Sequence, residues 1–445
     1  MPDEAPRAIV IGVQLPEVGD GDFESSLREL ERLAKTLGLN VVGRVTQRRS
    51  ALAPAAVLGE GKLKELAERT GGTGVVPMGP TRKKRKIDVE DEEPEAEPSE
   101  PSAEREASII LVDHDLTPSQ ARNLERATSA QVLDRTSVIL SIFQRHARTR
   151  EARLQVEIAR LVYEAPRLRE TGAGGDRQRG GIGGTGAGES GLELDRRRIR
   201  DRIAELRAEL AAIERDAGVR RARRTEVPTV ALVGYTNAGK SSWMRVLTGG
   251  EAYVADKLFA TLDTTVRALV PETRPRILVS DTVGFIKKLP HDLVASFRST
   301  LEEAREASLL IHVVDASDPA FRDQLEVTRA VLHELGADDA PSILLLNKID
   351  RVDEAGRQAL RAELPDAMQV SMRDPADVER VHARIVSFFE EGMQDVRLSI
   401  PWSKHAVVAA VHESARVLSE VHREDGTELE IRARPEVIAR LRAML

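Results

Sequence analysis

The chain contains no cysteine, which excludes disulfides, thiolate zinc sites and cysteine nucleophiles. Aromatic side chains are scarce, with eight Phe, three Tyr and two Trp in 445 residues, so the cores must be built from Leu, Val, Ile and Ala. No apolar run approaches the ~18 residues of a membrane span. Stable membrane insertion is therefore not expected, although composition leaves peripheral contact with a membrane open. The start, MPDEAPRAIVIGVQLPEVGD, lacks a basic segment followed by a long apolar core, and no signal peptide is expected. Neither sign of charge dominates: 66 basic against 73 acidic residues give −7. That excludes a wholly basic nucleic-acid binder while leaving room for a local basic surface. The expectation is a cytoplasmic, monomeric chain of about three domains, at about 150 residues each.

The pattern along the chain is α/β. Residues 8–13 (AIVIGV) read as a buried strand, and Leu27, Leu30, Leu33 and Leu37 mark a helix over 23–37. A strand near 41–45 and a short helix after Gly61 follow. Residues 71–107 differ: they pass through Arg82-Lys83-Lys84-Arg85-Lys86 into an acidic run broken by Pro94, Pro98 and Pro101. Such a segment buries too little apolar surface to offset its ordering entropy, and it reads as a disordered insertion with a solvated charge run. The pattern resumes with a strand over 108–113. Thr117 and Pro118 then suit the N-cap and N1 positions of a helix reaching Arg126. A strand near 131–133 and a helix over 137–147 complete an N-terminal α/β domain, 1–150.

Two helical patterns come next. Leu154, Ile158 and Leu161 mark one; Ile199, Ile203, Leu206, Leu210 and Ile213 form a heptad seam in the other. An antiparallel helical hairpin is expected over 151–225, around a loop (171–191) that is nearly half glycine. Arg177, Arg179 and Arg196-Arg197-Arg198 put phosphate-binding charge beside that loop's exposed N–H groups; a plain flexible linker is the equal alternative. Over 226–392, strands at 229–233, 277–280, 309–314 and 343–346 alternate with helices, the signature of a mainly parallel sheet. Residues 393–445 read as a small α+β domain.

Three short segments carry chemistry. Gly234-Tyr235-Thr236-Asn237-Ala238-Gly239-Lys240-Ser241 matches G-x-x-x-x-G-K-S/T directly after a strand. Its glycines let successive N–H groups face phosphate oxygens, Lys240 brings charge to the β- and γ-phosphates, and the Ser241 hydroxyl suits Mg²⁺. The next helix points its positive end at the anion. Asn347-Lys348-Ile349-Asp350 ends an apolar strand far downstream. The Asp350 carboxylate can accept from both N1–H and the exocyclic amine of guanine, a donor pair that adenine lacks. Asn347 can bond the other side of the base, and the Lys348 stem can lie over its face.

Asp281-Thr282-Val283-Gly284 also follows a strand. Asp281 can hold Mg²⁺ through a water, and the Gly284 N–H can sense the γ-phosphate in an order/disorder switch. Upstream, Thr261, Thr264 and Thr265 compete as the threonine that would close a first switch over the metal. Phe285 stands where Ras-like enzymes place a water-orienting glutamine. Another group, an ordered water or a monovalent cation must serve instead, and Asn237 could help hold K⁺ between phosphate oxygens.

These motifs, with FATLD, DTVGFIKKLPHDLVASFRSTLEEA, HVVDASDP, LTPSQARNLE, VLDRT and RTREARLQVEIARL, make the sequence resemble the HflX family of ribosome-associated GTPases over nearly the whole chain. The resemblance implies a Mg²⁺-dependent GTPase that takes GTP and GDP and binds the 50S ribosomal subunit. It further implies splitting ribosomes under stress or assisting their assembly, with the glycine-rich loop near rRNA and DNA not a partner. It favours Thr261 as the switch threonine and, with Ser241, as protein ligand of the metal. The implied nucleotide site adds Phe259, Ala260, Leu262 and Asp263, and Ser371-Met372-Arg373 as a further guanine-contacting segment, with Lys240 and Gly284 catalytic. Departures accompany it: the segment GIGGTGAGESGLELDRR replaces an arginine, a proline and two threonines of the family pattern, and Ser242-Trp243-Met244-Arg245 follows the phosphate loop. Two further readings compete: an ATP-using RNA remodeller, and a diverged GTP-binding regulator with little hydrolysis.

Overall fold

The computed structural model describes residues 5–76, 105–171, 191–222, 227–250, 258–259, 265–288, 303–337 and 339–445. They group into two compact units, one of residues 1–145 and 156–207, the other of 146–155 and 208–445.

In the first unit, β1 (Arg7–Gln14), β2 (Asn40–Arg48), β3 (Ile109–Val112) and β4 (Gln131–Asp134) form a parallel sheet in the order β2-β1-β3-β4. Helices α1 (Asp20–Thr36), α2 (Glu60–Thr70) and α3 (Pro118–Thr128) are the crossovers, and α4 (Arg135–His146) follows the last strand. β1 is apolar and buried on both faces, as a parallel strand between helical layers must be. The core around it is aliphatic, drawing on Ile9, Ile11, Leu66, Ile110 and Leu124. α3 starts where expected: the Thr117 hydroxyl accepts from Gln120 N–H while the Gln120 side chain accepts from Thr117 N–H, with Pro118 at N1.

The expected insertion, 71–107, proves too wide at both edges. Gly74 N–H bonds the Ala127 carbonyl at 2.8 Å, Glu106 N–H bonds the Arg69 carbonyl at 3.0 Å, and Ala107 is buried. Arg69 grips Glu106 through two 2.7 Å bonds. These edges find partners in α2 and α3, which composition does not reveal; the centre of the insertion, 77–104, lies outside the described residues.

A buried charge cluster also escaped composition. Arg135, 2% exposed, donates to Asp113 at 2.7 Å and pairs with Glu29, and Ser26 donates to the other Asp113 oxygen at 2.6 Å. Each charge is taken from water only because the others satisfy it. Next to Arg135 in sequence, Asp134 accepts from Arg167 and from the Tyr163 hydroxyl. Burial and the Asp134 charge hold the Tyr163 phenol above its ordinary range.

Helices α5 (Arg150–Thr171) and α6 (Gly191–Ala222) run antiparallel. Arg202 pairs with Glu157 and Arg150 with Glu209, so numbers rise along one helix as they fall along the other. Of the seam, Leu206 is buried and its four companions are half-buried. The loop residues 172–190 lie outside the described residues.

In the second unit the sheet comprises β5 (Thr229–Val233), β6 (Thr265–Ala268), β7 (Leu278–Asp281), β8 (Leu309–Asp315), β9 (Ser342–Asn347) and β10 (Met368–Gln369), in the order β10-β9-β8-β5-β7-β6. Among the described strands of this sheet, only edge strand β6 is antiparallel. Helices α7 (Lys240–Leu247), α8 (Phe321–Glu334), α9 (Glu354–Glu363) and α10 (Pro375–Glu390) accompany it. Trp243 and Met244, unusual after a phosphate loop, pack inward with Val381, Ile385 and Phe389. Trp243 is fully buried, so truncating it would cost roughly 3–5 kcal/mol. The strand order reverses at β5, between β7 and β8, and the crevice outside the strand ends at such a point is where an open α/β sheet binds ligands.

The chain ends in β11 (Gln394–Pro401), α11 (Ala406–Ser414), β12 (Arg416–His422), β13 (Gly426–Ala433) and α12 (Pro435–Met444), an antiparallel sheet in the order β11-β13-β12 with two helices. This matches the expected α+β pattern. Among the described residues no helix is long and apolar enough to cross a membrane.

Candidate nucleotide site

Three of the predicted segments meet at the carboxyl ends of β5, β7 and β9. The loop from Gly234 to Gly239 leaves β5 and turns into α7. Gly234 (φ 148°) and Gly239 (φ 106°) take backbone that L side chains rarely adopt. Close approach also requires them: a Cβ on Gly234 would lie 2.2 Å from the Val313 carbonyl, and one on Gly239 2.4 Å from Asn347 Nδ2. Lys240, 6% exposed, folds its ammonium back onto the Gly234 and Tyr235 carbonyls, at 2.9 Å each. Burial pulls its pKa down to about 8, opposed by the charge of Asp281. A cation held this way, beside the loop's amides and a helix start, is poised for an anion.

The Asn347–Asp350 segment is tied to that loop. Asn347 is fully buried, and its Nδ2 donates to the Ala238 carbonyl at 2.7 Å. Its amide therefore braces the phosphate loop, rather than only reaching for a base as the sequence suggested; its buried Oδ1 has no partner among the described residues. Lys348, in left-handed backbone, donates from Nζ to the Asn237 carbonyl at 2.8 Å and to Asp315 at 2.7 Å. Asp315, at the end of β8, went unread, although a strand closing on an aspartate within HVVDASDP was a usable signal. Asp350 is exposed and accepts from the Ser371 hydroxyl at 2.7 Å, with Arg373 3.5 Å from its other oxygen. Ser371 N–H is held by Asp377 at 2.8 Å. The Ile349 side chain packs into the core, and that of Met372, half-buried, packs against it.

Asp281 ends β7, paired with Leu232 of β5. Thr282 donates its hydroxyl to the Leu232 carbonyl at 2.7 Å. Beyond Val283 and Gly284 the chain pairs with the phosphate loop: Thr236 N–H donates to the Phe285 carbonyl at 2.8 Å, and Phe285 N–H to the Gly234 carbonyl at 3.2 Å. The Tyr235 hydroxyl accepts from Lys287 N–H at 2.7 Å, a contact no motif announced. The Phe285 side chain is buried with Ala231, Val233, Ala304 and Leu310, which explains why a glutamine does not stand there. Phe259 is buried, while Ala260, Thr261, Leu262, Asp263 and Thr264 lie outside the described residues. Thr265 is committed to β6, opposite Asp281.

A Ser241 hydroxyl at the start of α7 and an Asp281 carboxylate on the adjoining strand are hard oxygen donors of the kind Mg²⁺ takes. The ensemble can hold a triphosphate at one end and a base bearing two donors at the other.

Comparison with known proteins agrees. A family model described as the N-terminal part of a GTP-binding GTPase matches residues 24–76 and 96–144, one described as its middle region matches 146–224, and one described as a 50S ribosome-binding GTPase matches 229–348. A GTPase HflX of Gluconacetobacter diazotrophicus is 59% identical over 99% of this chain and 98% of its own length. The GTPase HflX proteins of Caldanaerobacter subterraneus and Escherichia coli are 37% and 35% identical, covering 98% and 96% of this chain and 93% and 92% of their own. Likeness of that order along both full lengths leaves one assignment: the chain is a GTPase of the HflX family.

Proposed function

We propose that this GTPase engages the 50S ribosomal subunit and its rRNA in the GTP state and leaves after hydrolysis, in ribosome splitting under stress or in subunit assembly, in the cytoplasm. The observation that carries the reading is the strap between the Asp281–Gly284 segment and the phosphate loop, closed by the Thr236–Phe285 and Phe285–Gly234 bonds. A segment bonded to the phosphate cradle must respond when the phosphate changes, and such a response can favour one binding partner over none. The family description naming the 50S subunit supports the choice of partner.

In this reading the phosphates lie along Gly234–Ser241. Lys240 exchanges its two carbonyl partners for β- and γ-oxygens, and the Gly284 N–H faces the γ-phosphate. Asp350 accepts from the guanine edge, steadied by Ser371, and Arg373 closes that end. Ser241, with Thr261, would hold Mg²⁺, which when bound neutralises phosphate charge. Asn237 would help hold K⁺. The functional parts are 1–150, 151–225, 226–392 and 393–445, the second presenting its glycine-rich loop to rRNA.

Steady-state GTP turnover with and without purified 50S subunits tests the proposal. Stimulation by the subunit is expected, larger in K⁺ than in Na⁺. No stimulation alongside normal nucleotide binding would refute the ribosomal reading, and equal rates in both salts would refute the K⁺ role.

A further inference from the structure

GTP hydrolysis needs a group that holds the attacking water, and the residue after Gly284 does not supply one, since Phe285 is 1% exposed within the core. The phosphate loop offers a hydroxyl instead. Thr236 is 6% exposed, and its Oγ1 is buried without a hydrogen-bond partner among the described residues. Leaving a buried hydroxyl unsatisfied costs about 1–3 kcal/mol, so such a group is retained where another role compensates.

Its surroundings point to that role. A Cβ at Gly284 would lie 2.8 Å from Thr236 Cγ2, 2.9 Å from Thr236 Cα and 3.1 Å from Lys240 Nζ. It is the Thr236 methyl that borders the space shared by the ammonium and the Gly284 backbone, the two groups assigned to the terminal phosphate; a turn of about 120° about χ1 exchanges that methyl for the hydroxyl. The Thr236 N–H is already spent on the Phe285 carbonyl, which fixes the residue and leaves only the hydroxyl to act.

We propose that Thr236 Oγ1 holds the attacking water against the γ-phosphorus of GTP, replacing the glutamine of Ras-like enzymes. This rests on the placement of the triphosphate in the same loop. The water oxygen forms a bond to the γ-phosphorus as the bond to the β–γ bridging oxygen breaks. The electron pair leaves on GDP, and the water proton ends on the inorganic phosphate. Thr236 donates to or accepts from the water without changing its own protonation, so it is a catalytic residue by contact and not a base.

The test compares the full chain with Thr236→Val, which keeps the shape and removes the hydroxyl, and Thr236→Ser, which restores the hydroxyl. Single-turnover hydrolysis and titration with fluorescent GTP and GDP analogues are measured on each. Thr236→Val should hydrolyse roughly ten- to a hundredfold more slowly while its GTP affinity stays within about threefold, and Thr236→Ser should recover most of the rate. A Thr236→Val rate within about threefold of the parent, or a loss of GTP affinity in step with the rate, would overturn the proposal. Failure of the unaltered chain to take up GTP would instead overturn the phosphate placement beneath it, and this inference too.

Discussion

Raising the pH from 7 to 8.5 should weaken GDP binding about fourfold through a single amine. Lys240 is nearly enclosed, and burial brings its pKa down to about 8. At that value roughly nine-tenths of nucleotide-free molecules carry the ammonium at pH 7 and roughly a quarter at pH 8.5. Phosphate oxygens in contact with Nζ keep it charged in the complex, so binding above pH 8 must draw a proton from solution. The loss amounts to about 0.8 kcal/mol. Stability of the nucleotide-free fold moves the other way. Between pH 8 and the ordinary 10.5 of a lysine the unfolded chain holds more protons than the folded one, so folding stability from this group rises across that window. Titration with a fluorescent GDP analogue gives the affinity. Calorimetry at pH 8.5 in two buffers of different ionisation heat should show roughly three-quarters of a proton taken up per GDP. Both measurements stay below the range in which guanine loses its own N1 proton. Constant affinity with no proton uptake would refute the reasoning.

Asp350→Asn should shift preference from guanine toward xanthine nucleotides by about tenfold or more, because an amide replaces the carboxylate that accepts two donors; unchanged preference in a competition assay of GDP against XDP would contradict the base assignment. Gly284→Ala should slow hydrolysis roughly a hundredfold while nucleotide still binds, since the added methyl meets Thr236 and Lys240 at 2.8–3.1 Å and must lift the switch segment from the phosphate loop; a rate near the parent's would show that the segment yields freely. Burial, aided by the charge of Arg329, holds His312 down at about 4. The unfolded chain therefore binds more protons below pH 6.5, and urea unfolding should show about 2 kcal/mol of stability lost between pH 7 and 5. Thr or Leu in place of His312 should flatten that slope, and a parent already flat would count against it.

The sheet of the second unit was legible because its strands are short apolar runs with turn residues behind them, and the chemistry sits in contiguous motifs at their ends. Strand β6 was missed: four residues on an edge, with alternating exposure, leave little pattern to read. The role of Asn347 was half legible. Its motif announces a base contact, but its tie to Ala238 joins positions far apart in the chain, which no local spacing encodes. The same holds for Asp315 and for the Tyr235 hydroxyl, whose partners Lys348 and Lys287 lie in loops after other strands. Arg135 looked like any arginine in VLDRT; that it lies buried depends on Asp113 and Glu29 arriving from different crossovers. The edges of the insertion were misjudged for a related reason. Composition averages over a window, whereas Glu106 is held by Arg69 and Gly74 by the Ala127 carbonyl.

Lys348 belongs by sequence to the segment that reads the purine, yet its amine is lodged between the Asn237 carbonyl and Asp315. One cation rivets the two halves of the cleft together. Redesigning the protein for a different purine by exchanging this lysine would slacken the triphosphate's seat at the same stroke, so the choice of ring and the hold on its tail must be retuned as a single property.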